Sequence, residues 1–141
     1  MLIFKCPIPH TYTAGKSTRK VSTNDILSMH WQTRKKIHDE VVAVCEDIFR
    51  LQPSLGHTLD STYRISLGFY SGKSTKVFDI DNLAMLGKWS IDAFRNTKLT
   101  VDDNFRNIKE VRYVYLGKRD KEAVIFQAEQ FRGGETAGTA F

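Results

Sequence analysis

The chain has 141 residues, of which 41% are hydrophobic, 26% charged and 11% aromatic, with three prolines. That length fits one globular domain burying roughly two-thirds of its unfolded surface, and the composition excludes disordered and collagen-like chains. Lys and Arg total 21 against 16 Asp and Glu, a net charge of +5. The surplus has a location, because residues 16–36 hold Lys16, Arg19, Lys20, Arg34, Lys35 and Lys36 against the single acid Asp25. Clustered positive charge draws polyanions through counterion release, although a solvated basic face without a ligand carries the same pattern.

No run approaches the roughly 18 apolar residues of a membrane span. The opening MLIFKCPIPH lacks the charged start and long apolar middle of a secretory signal, so a cytoplasmic protein without a membrane partner is expected. Cys6 and Cys45 stand alone, without C-x-x-C spacing, and read as buried small hydrophobes in a reducing compartment.

In chain order, residues 1–7 read as a short strand, and the Pro, Gly, Ser and Thr-rich basic stretch 8–23 reads as a long loop of functional interest. From Asn24 or Asp25, both good N-caps, a helix is predicted to about Gln52, stopping before Pro53. Ile37, Val41, Val44, Ile48 and Leu51 recur on it in steps of four and three, either as core packing or as a helix-helix seam between protomers.

Tyr63, Ile65, Leu67 and Phe69 alternate with Arg64, Ser66, Gly68 and Tyr70, the period of two that marks a strand with one buried face. After a polar connection, a second helix is predicted from Asp81 or Asn82 to Arg95. Strands near 108–116 and 123–128 flank the charged turn GKRDKE and read as a hairpin. Trp31 and the tyrosines read as core residues, with base stacking as the alternative. The expected fold is a single α+β domain, residues 1–131, with a mixed sheet of about four strands packed on two main helices. Residues 132–141 read as a flexible tail.

The segment FDIDN places Asp79 and Asp81 at i and i+2 where the connection meets the second helix. In extended backbone their side chains fall on one side, so both carboxylates can converge on one hard cation. Asp102 and Asp103 add a second acidic pair beyond that helix. Four carboxylates suit the oxygen shell of Mg²⁺, which would neutralise a phosphodiester and activate water. The alternative for an Asp at a helix start is a cap. A calcium loop counted from Asp79 fails, with Ala84 at the sixth position and Ser90 at the twelfth. His10, His30, His38 and His57 form no zinc pattern.

At about 100° per residue, Leu83, Leu86, Ser90, Ala93 and Phe94 gather on one side of the second helix, with Asp81, Lys88 and Asp92 opposite. Lys88 and Asp92 then form either a solvated i,i+4 pair or part of a site in which Lys88 meets a phosphate.

Taken in order, D-I-D-N-L, K-W-S-I-D-A-F, V-D-D and the strand I-K-E-V-R-Y-V resemble the RusA-type Holliday junction resolvase family. The likeness runs from Asp79 to about Tyr115, with H-W-x-x-R-K-K of the first helix matching more loosely. The resemblance implies a homodimeric α+β nuclease that binds four-way DNA junctions and cuts them with Mg²⁺ or Mn²⁺ in recombination and repair. By position, Asp79, Asp81 and Asp103 would be the metal-binding catalytic acids, supported by Asp102, and Lys88 would assist phosphate hydrolysis. The family lysine lies four residues after the second Asp, whereas Lys88 lies seven after Asp81, a step that adds about 4.5 Å of rise along a continuous helix.

Lys73 or Lys76 could contact the phosphate instead. Lys16, Arg19, Lys20, Arg34, Lys35 and Lys36 are expected to grip the DNA backbone, with Lys73 and Lys76 nearer the cut. Such contacts carry no direct sequence information. The second functional reading is a non-catalytic basic nucleic-acid-binding protein.

Overall fold

The computed structural model describes residues 2–52, 62–97 and 106–130. Ten elements follow one another: β1 (Leu2–Ile8), β2 (Thr11–Ala14), β3 (Ser17–Lys20), α1 (Thr23–Leu27), α2 (Trp31–Arg50), β4 (Tyr63–Ser71), a 3₁₀ turn (Ile80–Leu83), α3 (Ala84–Asn96), β5 (Ile108–Lys118) and β6 (Ala123–Gln130). Four strands make one mixed sheet in the order β1-β6-β4-β5, in which only β4 and β5 run parallel. This is the expected α+β domain. The expected tail, residues 132–141, lies outside the described residues.

The core lies between α2, α3 and one face of the sheet. Phe126 of β6 is fully buried, and its ring lies 5.8 Å from Phe4, 4.6 Å from Phe49 and 5.9 Å from Phe94. Tyr63 meets Phe94 edge-on at 5.1 Å. The two cysteines belong to this core, where burial pushes the Cys6 thiol up to about 11 and the Cys45 thiol up to about 12. They are unreactive packing groups, as their sequence context implies.

Strand β4 departs from the expectation of one buried face. Tyr63, Ile65, Leu67 and Phe69 face the helices, but Arg64 and Ser66 on the opposite face are also buried, at 6% and 4% exposure. Arg64 is held by Glu110 of β5 at 2.8 Å and by Glu129 of β6 at 3.9 Å. A central strand is covered on both sides by its neighbours' longer side chains, which alternation alone does not reveal.

The expected hairpin of β5 and β6 does not form, because β4 lies between them. The GKRDKE turn crosses over the end of β4, where the Arg119 N–H donates to Ser71 O at 2.8 Å and the Arg119 guanidinium sits 3.4 Å from the Tyr70 ring centroid. Gly72 lies under this crossing, since a Cβ there would meet Glu122 N at 2.7 Å.

The stretch 8–23, expected as a loop, contains the β2-β3 hairpin. Gly15, at φ 63°, opens the two-residue turn between Ala14 and Ser17, a conformation that favours glycine. Tyr12 is buried, anchoring the hairpin to the core.

The predicted helix over 24–52 is two helices. Ser28 Oγ donates to Asp25 O at 2.7 Å and His30 Nδ1 accepts the Gln32 N–H at 3.2 Å, so α1 ends and α2 receives a cap of its own. Ile37, Val41, Val42, Cys45 and Phe49 form the buried face of α2. Val44 and Leu51, expected on that stripe, are exposed. Trp31 and Tyr115 also leave the core, at 58% and 57% exposure, whereas Tyr12 and Tyr63 remain in it.

Candidate nucleic-acid interface

Strands β4 and β5 end together at Ser71 and Lys118, β6 begins beside Tyr70, and β1 ends opposite Val124. The basic hairpin, the connection 72–79 and the turn 119–122 therefore meet at one end of the sheet. Helices α2 and α3 start there too. They run parallel, as the pairs His38–Asp92 at 3.1 Å and Glu46–Asn96 at 3.0 Å require, and their later residues Phe49 and Phe94 pack near the opposite end, around Phe4 and Tyr63.

Glu122 fastens these segments. Its carboxylate accepts hydrogen bonds from His10 Nε2 at 3.0 Å and Thr75 Oγ1 at 2.6 Å, and pairs with Lys20 Nζ at 2.7 Å. Burial raises the Glu122 pKa, but the bonds from Lys20 and Thr75 and the charges of Lys20 and His10 outweigh it, so the group titrates below the ordinary carboxylate value. Burial lowers the His10 pKa against the opposing pull of Glu122. In the sequence Glu122 belongs to the charged GKRDKE turn, and only the crossover over β4 brings it inward.

Asp79 occupies the N-cap position of the 3₁₀ turn, yet its side chain makes no capping bond. Its carbonyl takes the Asn82 N–H at 3.0 Å instead. Both Asp79 and Asp81 are exposed, and no described side chain is bonded to either carboxylate. The capping alternative is thereby removed for Asp79. The extended alternation expected to align the pair stops at Asp79, because Asp81 already belongs to the 3₁₀ turn.

Asp102 and Asp103 lie outside the described residues. Among the described residues no three His, Cys, Asp or Glu side chains gather as a metal cluster. The donors present, two uncommitted carboxylates, fit part of the shell of a hard cation such as Mg²⁺, which keeps several waters.

The turn is braced from α1. Thr23 Oγ1 donates to Asn82 O at 2.9 Å and accepts the Met85 N–H at 3.0 Å. Lys88 is exposed on α3, but the expected stripe with Asp81 and Asp92 is broken at both ends. Asp81 precedes the α-helix, and Asp92, with its side chain 13% exposed, is bonded to His38 rather than left as a solvated partner of Lys88.

The predicted DNA-contacting cations fall into two groups. Lys16, Arg19, Lys36 and Lys76 are exposed and Arg34 is half-buried, with no ion pair described for any of them. Lys20 is committed to Glu122, Lys35 to Asp39 at 2.7 Å, and Lys73 approaches Asp120 at 3.8 Å. Lys118, Arg119 and Lys121 join the same end of the fold. Their signal is visible as the charged GKRDKE turn, but a turn between two paired strands gives no reason to place it against Ser71–Thr75, the start of the connection that leads to Asp79. A cleft of about 750 Å³ opens between the hairpin, α1 and the connection, lined by Arg19, Lys20, Lys76, Asp25, Asn82 and Phe78 among others.

No protein-family model matches the chain, and no curated protein matches it. Among the described residues no helix is long and apolar enough to cross a membrane.

Proposed function

We propose that the protein is a structure-selective DNA endonuclease. It hydrolyses phosphodiester bonds at four-way or related branched junctions with carboxylate-bound Mg²⁺ or Mn²⁺, acting as a cytoplasmic homodimer in recombination and repair. The observation that carries the reading is Asp79, an N-cap residue that does not cap, exposed beside Asp81 at the end of the fold where the basic segments meet. An exposed carboxylate that does not cap its own turn is available to hold a metal against a phosphate.

Asp79 and Asp81, completed by Asp103 with Asp102 in support, would hold the cation. When bound, the cation neutralises the phosphate and lowers the pKa of water. Lys16, Arg19, Arg34, Lys36 and Lys76 position the DNA backbone, and Lys88 is assigned to the reacting phosphate. The resemblance to RusA-type resolvases supports this reading through the ordered acids. Val44, exposed on α2, and Leu51, exposed at its C-terminal cap, supply apolar surface for a second copy, which light scattering at micromolar concentration tests.

Cleavage of four-way, flap and linear DNA across Mg²⁺ and Mn²⁺ titrations tests the activity. Wild type is expected to cut branched DNA, and Asp81→Asn to bind it without cutting. Junction binding with no cleavage at any metal concentration overturns the nuclease. That outcome would favour the second reading, a nucleic-acid-binding protein without metal chemistry. Lys88→Ala should bind junctions and fail to cut; wild-type cutting by that variant moves the role to Lys73 or Lys76.

A further inference from the structure

On the other side of the Lys76–Phe78 segment from the large cleft lies a second one of about 380 Å³, lined by Tyr115, Phe69, Phe78, Val77, Ile80 and Lys76 among others. That volume lies within the roughly 300–1,000 Å³ of ligand pockets. Three aromatic rings stand in its walls. Tyr115 Oη is hydrogen-bonded to Ser71 Oγ at 2.8 Å, and its ring is tilted against Phe69 at 6.4 Å. Phe78 meets Phe69 edge-on at 4.9 Å. Tyr115 is nevertheless more than half exposed, and Val77 and Ile80 are exposed beside it.

One cross-strand hydrogen bond from Ser71 orients the Tyr115 ring while more than half of the residue stays exposed. A ring already oriented in this way has less rotamer entropy to lose on binding. The apolar floor selects a flat, poorly solvated group. Lys76 on its wall, with Lys118 opposite Ser71 in the strand register, selects an adjoining anion. Ile80, which separates Asp79 from Asp81, puts the cleft mouth next to the two carboxylates. A flat heterocycle joined to a phosphate meets all of these requirements.

We infer that this cleft binds one unstacked base of a single-stranded nucleic-acid segment, stacked on Tyr115 with its phosphate toward Lys76. The inference rests on the nucleic-acid reading above and deepens it. The site recognises a base that has left the duplex, which a branch point supplies and an intact duplex does not. Stacking of this kind is tolerant of base identity, so the cleft discriminates strand state rather than sequence.

The test uses the full chain in EDTA, with fluorescence anisotropy of a roughly 12-nucleotide single-stranded DNA and a blunt duplex of the same sequence. Tyr115→Ala is expected to weaken single-strand binding by about tenfold or more and to leave duplex binding unchanged, while Tyr115→Phe stays near wild type. A 5-iododeoxyuridine in the single strand should photo-crosslink to Tyr115 or Phe78. Wild-type single-strand affinity in Tyr115→Ala, or crosslinks only to other segments, overturns the cleft assignment while DNA binding itself stands. If wild type binds neither DNA at low salt, the nucleic-acid reading falls and this inference with it.

Discussion

Lys20 Nζ lies 2.7 Å from Glu122 Oε2 and 5.3 Å from the centroid of the Phe78 ring, so one ammonium ties the β2-β3 hairpin to the turn before β6 and to the segment that leads into Asp79. With His10 and Thr75 bonded to the same carboxylate, Glu122 sets where the hairpin and the connection stand relative to the sheet. The charges available to a ligand at this end of the fold are those this arrangement leaves over.

Acid should loosen it. Glu122 titrates below its ordinary value of 4.5; a depressed carboxyl contributes stability that is present above its unfolded pKa and lost as pH falls through the folded one. His10 titrates below its ordinary 6.5, so below that pH the unfolded chain takes up a proton that the folded chain resists, and stability falls in the same direction. Melting temperatures measured between about pH 8 and pH 4 should start to decline below 6.5 and fall further below 4.5. Glu122→Gln should flatten the lower part of the decline. A wild-type profile level down to pH 4 would remove Glu122 and His10 as the responsible groups.

Gly72→Ala should destabilise through backbone contact. The added Cβ would sit 2.7 Å from Glu122 N and 3.2 Å from Lys121 C, atoms that move only if the crossing turn lifts off β4. A cost of about 1–3 kcal/mol is expected, in the range of overpacking. Gly15→Ala meets no neighbour within 4 Å and should cost only the roughly 1–2 kcal/mol of left-handed backbone at φ 63°. Thermal unfolding of the two variants separates a clash from a conformational penalty, because Gly72→Ala alone should also weaken the contacts of the 72–79 connection.

Much of this architecture is legible in the residues. The period of two over Tyr63 to Tyr70 located β4, and the apolar set Leu83, Leu86, Ser90, Ala93 and Phe94 located the buried side of α3. The pairing of strands was not legible, since nothing in the spacing of β5 and β6 says that β4 will lie between them. The hairpin was missed because Thr, Ser and Lys around Gly15 suit loops and exposed strands alike, and tertiary contact of Tyr12 decides between them. The acids at Asp79 and Asp81 were readable as a pair, but their state was not. Whether an Asp at a helix start caps it depends on the rotation of one side chain.

Phe126→Ala should be the most damaging truncation in the core. The ring touches Phe4, Phe49 and Phe94, so its removal leaves a cavity bounded by two helices and two strands that cannot close over it. About 3–5 kcal/mol is expected, against less than about 0.5 kcal/mol for Gln32→Ala on the exposed side of α2. Urea unfolding of both proteins provides the comparison, and a loss below 1 kcal/mol for Phe126→Ala would mean that the aromatic cluster is not the centre of stability.

Lys20 and Lys76 line the same 750 Å³ cleft and should behave oppositely when removed. Lys20 is half-buried against Glu122, so Lys20→Ala leaves the carboxylate with only His10 and Thr75 and should lower the melting temperature, at a cost of about 1 kcal/mol once solvent screening of the pair is counted. Lys76 is exposed with no ion pair described. Its truncation should leave the melting temperature unchanged and reduce the slope of log Kd against log salt for DNA by about one. Binding titrations over a range of salt, paired with thermal melts, read both quantities in each variant. If Lys20→Ala changes the salt slope and keeps its stability, Lys20 is a phosphate contact and the Glu122 pair is incidental. If Lys76→Ala keeps the full slope, the backbone grip lies elsewhere among Lys16, Arg19, Arg34 and Lys36.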